Sequence, residues 1–259
     1  MLKITFLGTC AGTEPIPGRH HSSFVLEAGG LCYFFDAGEN CSHKAAELKI
    51  DVTKTRAVFI SHMHIDHTGG LANLLFTVHK LASRYKKPHV NGNSYDVFIP
   101  DTDVFQSIKQ VAFYGGKAGG CVKINEHPVH DGLIYEDENL RVTALHNTHL
   151  GETGKNGFHS YSYLIEAEGK RIVCSGDVSY PEELNRLIAD GCDCLIMETG
   201  HHTVTEVCEY AKAHGVKRLL FTHNGREILG DVKAAEERAS ALHGNAAVCY
   251  DGFTELLHF

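Results

Sequence analysis

The chain has 259 residues, 43% of them hydrophobic, a formal net charge of -8 and a pI of about 6.2. That is enough apolar material for one large core or two modest ones, and the acid excess argues against a broad basic surface, so long nucleic acid is not an expected partner. No low-complexity linker divides the sequence, and it reads as a single domain over 1–259.

The opening MLKITFLGT alternates like a strand over 2–7, with Leu2, Ile4 and Phe6 on one face, and lacks the apolar run and cleavage site of a signal peptide. Residues 23–27 and 31–36 are apolar runs around Ala28-Gly29-Gly30, the pattern of a hairpin. Residues 57–61 (AVFIS) read as a short buried strand. After Gly70, Leu71, Leu74, Leu75, Val78 and Leu81 recur at helical spacing, and that helix should end before Pro88. From 86 to 135 the pattern weakens, and GGKAGG at 115–120 reads as a mobile loop bordering the substrate. Strands follow near 140–145, 161–166, 171–175, 194–198, 218–222 and 246–250, with helices near 181–190, 203–214 and 231–242. Strands mixed with helices in both halves predict an α/β chain of two packed sheets covered by helices. Nothing approaches a membrane span. Nine cysteines, odd in number and without framework spacing, fit reduced thiols, so the expected location is cytoplasmic with no membrane partner.

The stretch ISHMHIDHTGG, Ile60 to Gly70, carries three histidines and an aspartate in a strand-to-helix loop. Imidazole and carboxylate are the donors that hold zinc and its neighbours in hydrolytic sites. His62 and His64, two residues apart in extended chain, point the same way and can share one ion; Asp66 and His67 follow the turn and can face a second. A helix-start loop gains little from three neighbouring imidazoles otherwise.

SHMHIDHTGGL resembles the HxHxDH signature of the metallo-β-lactamase superfamily. FLGTCAGTEPIPGRHHSSFVLE followed by FFDAGEN resembles the opening of its tRNase Z-like (ribonuclease Z and phosphodiesterase) branch, GKRIVCSGD the later strand ending in a metal-bridging aspartate, and RLLFTH the strand ending in the last histidine ligand. The resemblance implies an αβ/βα sandwich, two mixed sheets flanked by helices, with two divalent ions at the strand ends. It implies His62, His64 and His149 on one ion, Asp66, His67 and His223 on the other, and Asp177 bridging. The family supplies one histidine after LRVTAL; His149 matches its spacing better and His146 is the alternative. Zinc is the first expectation, and manganese or iron would suit the same donors.

Two ions roughly 3.5 to 4 Å apart activate a bridging water and stabilise the attacking and leaving oxygens. This suits hydrolysis at phosphorus or at a carbonyl through a bridging hydroxide, with Asp66 also able to orient or deprotonate the water. GHHTVTEVCEYAKAHGVKRLLFTH aligns without a gap to the corresponding stretch of tRNase Z enzymes, which implies catalytic roles for His201 and Glu198. The sequence departs from that family at Met197, where a histidine is expected, so the proton donor of tRNA processing is missing or replaced by His201 or His202. It departs again in 86–135, which is too short for a protruding tRNA-binding arm. Both departures favour a small or cyclic phosphodiester or a short RNA over precursor tRNA, with His202 and Lys117 as substrate contacts. The alternatives are hydrolysis of a lactone, thioester or β-lactam, and true tRNA 3'-end cleavage. A flavodiiron-type redox site is disfavoured by His64, and a degenerate binding module by the complete ligand set. A homodimer rests on family analogy alone. Cys174, Cys192, Cys194 and Cys249 read as core residues, and His20 and His21 stand equally between a structural and a functional reading.

Overall fold

The computed structural model describes residues 2–12, 14, 16–85, 87–89, 92–114, 122–151 and 157–257. The chain divides into two compact units. One is formed by residues 1–8, 20–129 and 251–259, the other by 9–19 and 130–250.

In the first unit, β1 (Leu2–Gly8), β2 (Ser23–Ala28), β3 (Leu31–Phe35), α1 (Cys41–Glu47), β4 (Thr55–Phe59), α2 (Ile65–Thr68), α3 (Leu71–Arg84), β5 (Ser94–Ile99), α4 (Thr102–Phe113) and β6 (Lys123–Pro128) follow one another, and the last strand of the chain, β14 (Thr254–Leu257), returns to it. The sheet order is β14-β1-β2-β3-β4-β5-β6. Its first three pairings are antiparallel and its last three parallel. The β2–β3 hairpin turns on Gly29 and Gly30, with φ of 57° and 80°, the left-handed pair that suits the strand twist and that glycine adopts without steric cost.

One face of this sheet is an aromatic ladder. Register sets Phe6, Phe24, Phe35, Phe59, Phe98 and His127 side by side across six strands, and the rings from Phe24 to Phe98 stack at centroid distances of 5.0, 4.9 and 5.0 Å. Offset ring stacking adds to the area that each phenylalanine buries. The opposite face carries Val25, Phe34, Val58, Tyr95 and Val97, packed with Leu71, Leu74, Leu75 and Val78 of α3 and Phe105 of α4.

The second unit contains β7 (Gly132–Glu136), β8 (Leu140–His146), β9 (Tyr161–Ala167), β10 (Lys170–Cys174), α5 (Asn185–Ile188), β11 (Cys194–Thr199), α6 (Val204–Ala213), β12 (Leu219–Asn224), α7 (Arg226–Gly230), α8 (Val232–Leu242) and β13 (Ala246–Val248). Its sheet runs β7-β8-β9-β10-β11-β12-β13, and its pairings repeat those of the first, three antiparallel and then three parallel. Val173, Leu195, Met197, Leu219 and Phe221 form the helix-side core with Val204, Val207, Cys208 and Ala211 of α6 and Ala235 and Ala239 of α8. Two mixed sheets, each covered by helices on one face, make this an α/β chain.

The expected helix over 181–190 is instead a 3-10 turn, Pro181–Leu184, followed by the single turn of α5. The Arg171 guanidinium donates to the carbonyls of Leu187, Ile188 and Gly191 and closes that turn. The strand expected at 57–61 begins and ends two residues earlier, because the Ser61 N–H leaves the ladder for the Asp36 carboxylate. The GGKAGG segment, Lys117 included, lies outside the described residues. No helix among those described is long and apolar enough to cross a membrane. All described cysteines are buried thiols, and burial pushes those of Cys41 and Cys192 up to about 12.

Phe59 is the central ring of the ladder and fully buried. Phe59→Ala should cost about 3 to 5 kcal/mol in denaturant unfolding; a loss below about 1 kcal/mol would show that the ladder does not hold this sheet.

Candidate metal centre

The first unit brings His62, His64, Asp66 and His67 together beyond the end of β4. His62 Nε2 and His64 Nδ1 are 3.0 Å apart, a spacing at which two imidazoles can share one proton or turn toward one ion. Asp66 and His67 sit on α2, with Asp66 Oδ2 3.6 Å from His67 Nε2. The extended His-x-His and the following helical turn thus give this loop two ligand directions.

What orients the loop is Asp36, directly after β3. It is 7% exposed. Its carboxylate accepts from the Ser61 N–H at 2.7 Å and the Ser61 hydroxyl at 2.9 Å, and it lies 2.7 Å from His67 Nδ1. With Nδ1 committed to Asp36, His67 presents Nε2 to a ligand. The Ala37 N–H donates to the His67 carbonyl and the Gly70 N–H to the Ala37 carbonyl, sewing the two segments together. Gly38 is required here, since a Cβ would lie 2.5 Å from the His21 carbonyl carbon and 2.6 Å from the Asp66 carbonyl oxygen. Asp36 was not foreseen as a site residue, although FFDAGEN placed it at a strand end, where sites are usually built. His20 is held near the same turn, its Nε2 3.1 Å from Asn40 Nδ2 and its Nδ1 3.6 Å from Glu39.

The second unit gathers His149, Asp177, Glu198, His201 and His223 at strand ends. Asp177 Oδ2 is 3.5 Å from His223 Nε2, 3.7 Å from His149 Nε2 and 3.9 Å from His201 Nδ1. Asp177, His201 and His223 each offer a ligand atom within 4.8 Å of the others, so the donors of this unit alone fit a divalent ion. Glu198 is fully buried on β11. It accepts from the His201 N–H at 3.0 Å and pairs with His201 Nδ1 at 2.9 Å. Burial alone would raise its pKa, but the hydrogen bond from His201 and the nearby His223 ring, its Nδ1 3.7 Å away, outweigh that and hold it at about 2. The same Glu198 bond raises the pKa of His201. His223 has φ of 46°, a left-handed conformation that costs a non-glycine residue about 1 kcal/mol or more. A Cβ at Gly200 would come within 2.6 Å of its ring.

His202 lies elsewhere than the sequence suggests. It is turned inward. Its side chain is 5% exposed, its Nε2 is 3.0 Å from the Val178 carbonyl and 3.5 Å from Glu198, and its place is beneath Glu198 rather than against substrate. Met197 points into the helix-side core and is fully buried, so its side chain stands on the opposite sheet face from Glu198. His146 is paired with Asp131 at 2.7 Å and stacked on Phe158, whereas His149 lies beside Asp177. Arg226 pairs with Glu14 at 2.7 Å on the surface.

Residues 33–224 match the family described as Beta-lactamase superfamily domain. Among curated proteins the chain is similar to the Ribonuclease Z of Thermococcus onnurineus, 27% identical over 281 positions that cover 92% of this chain and 89% of that one. Among solved structures it is similar to the metallo-beta-lactamase fold protein YhfI of Bacillus subtilis, with TM-score 0.78, 20% identity and 98% of each chain covered. It is also similar to the short form of human tRNase Z, with TM-score 0.73, 21% identity, and 99% of this chain and 100% of that one covered. The match over most of the chain, with histidines and aspartates gathered at the strand ends of both units, makes the protein a metal-dependent hydrolase belonging to the β-lactamase superfamily.

Proposed function

We propose that the protein is a phosphodiesterase using two divalent ions, acting on a small or cyclic phosphodiester or a short RNA. The observation that carries this reading is the donor set: imidazoles and carboxylates at the strand ends of each unit, with His67 Nδ1 held by the buried Asp36 and the Nε2 atoms of His149 and His223 turned toward Asp177. In a single domain over 1–259, His62, His64 and His149 would hold one ion, Asp66, His67 and His223 the other, and Asp177 would lie between them. Two such ions supply Lewis-acid charge and an activated water at neutral pH; zinc suits the donors, as do manganese and iron.

The chain's own residues supply the remaining chemistry. Asp66 orients the attacking water and can take its proton. His201 carries a proton to the departing oxygen, because the Glu198 bond favours its charged form and fixes its ring. Glu198, held anionic, is the positioning group for His201. Asp177 keeps His149 and His223 turned inward.

Phosphorus is favoured over carbon by the Ribonuclease Z and tRNase Z names of the relatives. A small substrate is favoured by the net charge of -8 and by the way 92–136 is used: the described residues there form β5, α4, β6 and β7, with none left over for a protruding arm. The alignment with the Thermococcus protein is also longer than this chain, so that protein has positions without a counterpart here. The same names favour a second reading, cleavage at the 3' end of precursor tRNA, and efficient cleavage of that RNA would select it.

Two measurements follow. Asp36→Asn removes an acceptor from the Ser61 and His67 network and should weaken metal binding about 10- to 100-fold in a competition titration with a chromophoric chelator; an unchanged affinity would remove Asp36 from the centre. Zinc- or manganese-loaded protein should hydrolyse bis(p-nitrophenyl) phosphate, and Asp177→Ala should abolish that turnover. Failure of the wild-type protein with both metals would shift the reaction to a lactone or thioester.

A further inference from the structure

In the second unit, β8 is antiparallel to β9 and β9 to β10, while β10, β11 and β12 run parallel. The C-terminal ends of β8, β10, β11 and β12 therefore share one edge of the sheet. Along it stand His223 at β12, Glu198 at β11, the Asp177 loop after β10 and, two strands further, His146 at the end of β8. Leu145 and Met197 belong to the helix-side core. The residues after them, His146 and Glu198, accordingly lie on the other face. At about 4.8 Å per strand, His146 stands on the order of 10 Å along the edge from the Asp177 loop.

His146 is held as an oriented group. Asp131 Oδ1 accepts from the His146 backbone N–H, and Asp131 Oδ2 lies against His146 Nδ1, both at 2.7 Å. The imidazole stacks on Phe158 with ring centres 4.0 Å apart and planes 17° apart. The Tyr161 hydroxyl donates to the Phe158 carbonyl at 3.0 Å and steadies that ring's backbone. The His146 side chain is 34% exposed. Among the described residues none bonds its Nε2. With the Nδ1 proton given to Asp131, a neutral ring presents the Nε2 lone pair outward, an acceptor fixed in position and direction.

We propose that His146, supported by Asp131 and Phe158, is a substrate-positioning residue whose Nε2 accepts a hydrogen bond from a hydroxyl or amine on the group flanking the scissile phosphodiester. This rests on the phosphodiesterase reading and narrows it: the substrate is a nucleotide ester, whose sugar hydroxyls and base amines are such donors, rather than a bare alkyl or aryl ester. An oriented acceptor is left without its bond by a ligand that lacks the donor, which is how one side chain discriminates between esters sharing the same reacting phosphorus.

The test is the ratio of kcat/KM for the diribonucleotide ApA to that for bis(p-nitrophenyl) phosphate, measured on the metal-loaded full chain. His146→Ala should lower this ratio about tenfold, mainly through KM for ApA. Asp131→Asn should lower it as well, although it keeps the shape of the side chain. One oxygen of the amide can still accept from the backbone N–H, but the NH2 then faces Nδ1, so the ring proton moves to Nε2 and the acceptor becomes a donor. A general loss of fold or metal would lower both substrates together and leave the ratio unchanged. An unchanged ratio in both variants overturns the inference. So does a wild-type protein that hydrolyses bis(p-nitrophenyl) phosphate but not ApA, with the phosphodiesterase reading left standing. A wild-type protein that hydrolyses neither overturns that reading itself.

Discussion

A buried carboxylate beneath the histidines is the constraint on which the polar cluster of each unit depends. An imidazole can rotate and can carry its proton on either nitrogen, so the role of a histidine is defined only when one of its nitrogens is held. Asp36 does this for His67 in the first unit, and Glu198 does it for His201 in the second. An unpaired buried carboxylate would be costly. Here the partners are the same groups that must be oriented, so satisfying the anion and building the site are one event. Local geometry is bent to that end. Asp36 and His223 both take positive φ, 55° and 46°, and Gly38 and Gly200 give up side chains where neighbouring groups pass too close for a Cβ.

The repeated topology explains why the ligands sit where they do. Each sheet runs through three antiparallel and then three parallel pairings, and in each the polar residues cluster just beyond the C-terminal ends of strands. Asp36 follows β3, the last strand of its unit's antiparallel set; Asp177 lies after the equivalent β10. The His62 to His67 loop follows β4, and Glu198 and His201 stand at the end of β11. Strands packed on rigid, helix-covered sheets hold these loops more precisely than long connections would. Two units of similar strand order thus present related loops while sharing no evident sequence repeat.

Much of this was legible in the sequence where the apolar period is strong. The hairpin, α3, β8 to β12, α6 and α8 follow from alternation or helical spacing, because one face of each packs into a core. The unforeseen elements are those with little to bury. Within α4 only Phe105 is buried, and β6 has no buried residue at all along its length. The edge strand β14 is likewise at most half-buried. The helix expected at 181–190 fails for a different reason: Pro181 favours a turn start, and Ala189 takes a φ of 50° that ends α5 after one turn. At the centre, the HxHxDH stretch announced itself by density of ligand types. Asp36 and Asp131 did not, because a single aspartate near a strand end has no distinctive spacing; their roles appear only when the partner histidines, 31 and 15 residues away in sequence, are seen against them.

Met197 marks how this chain differs from the tRNase Z enzymes that it resembles. A histidine at that position would have to leave the helix-side core that Met197 now fills, so its absence is built into the packing rather than confined to one side chain. Glu198, on the other face of the strand, fixes His201 instead. The central claim, that the donors of both units hold two ions in one chain, is tested most directly by elemental analysis of gently purified protein. Two zinc, manganese or iron ions per chain is the result this account predicts, and less than one per chain would contradict it.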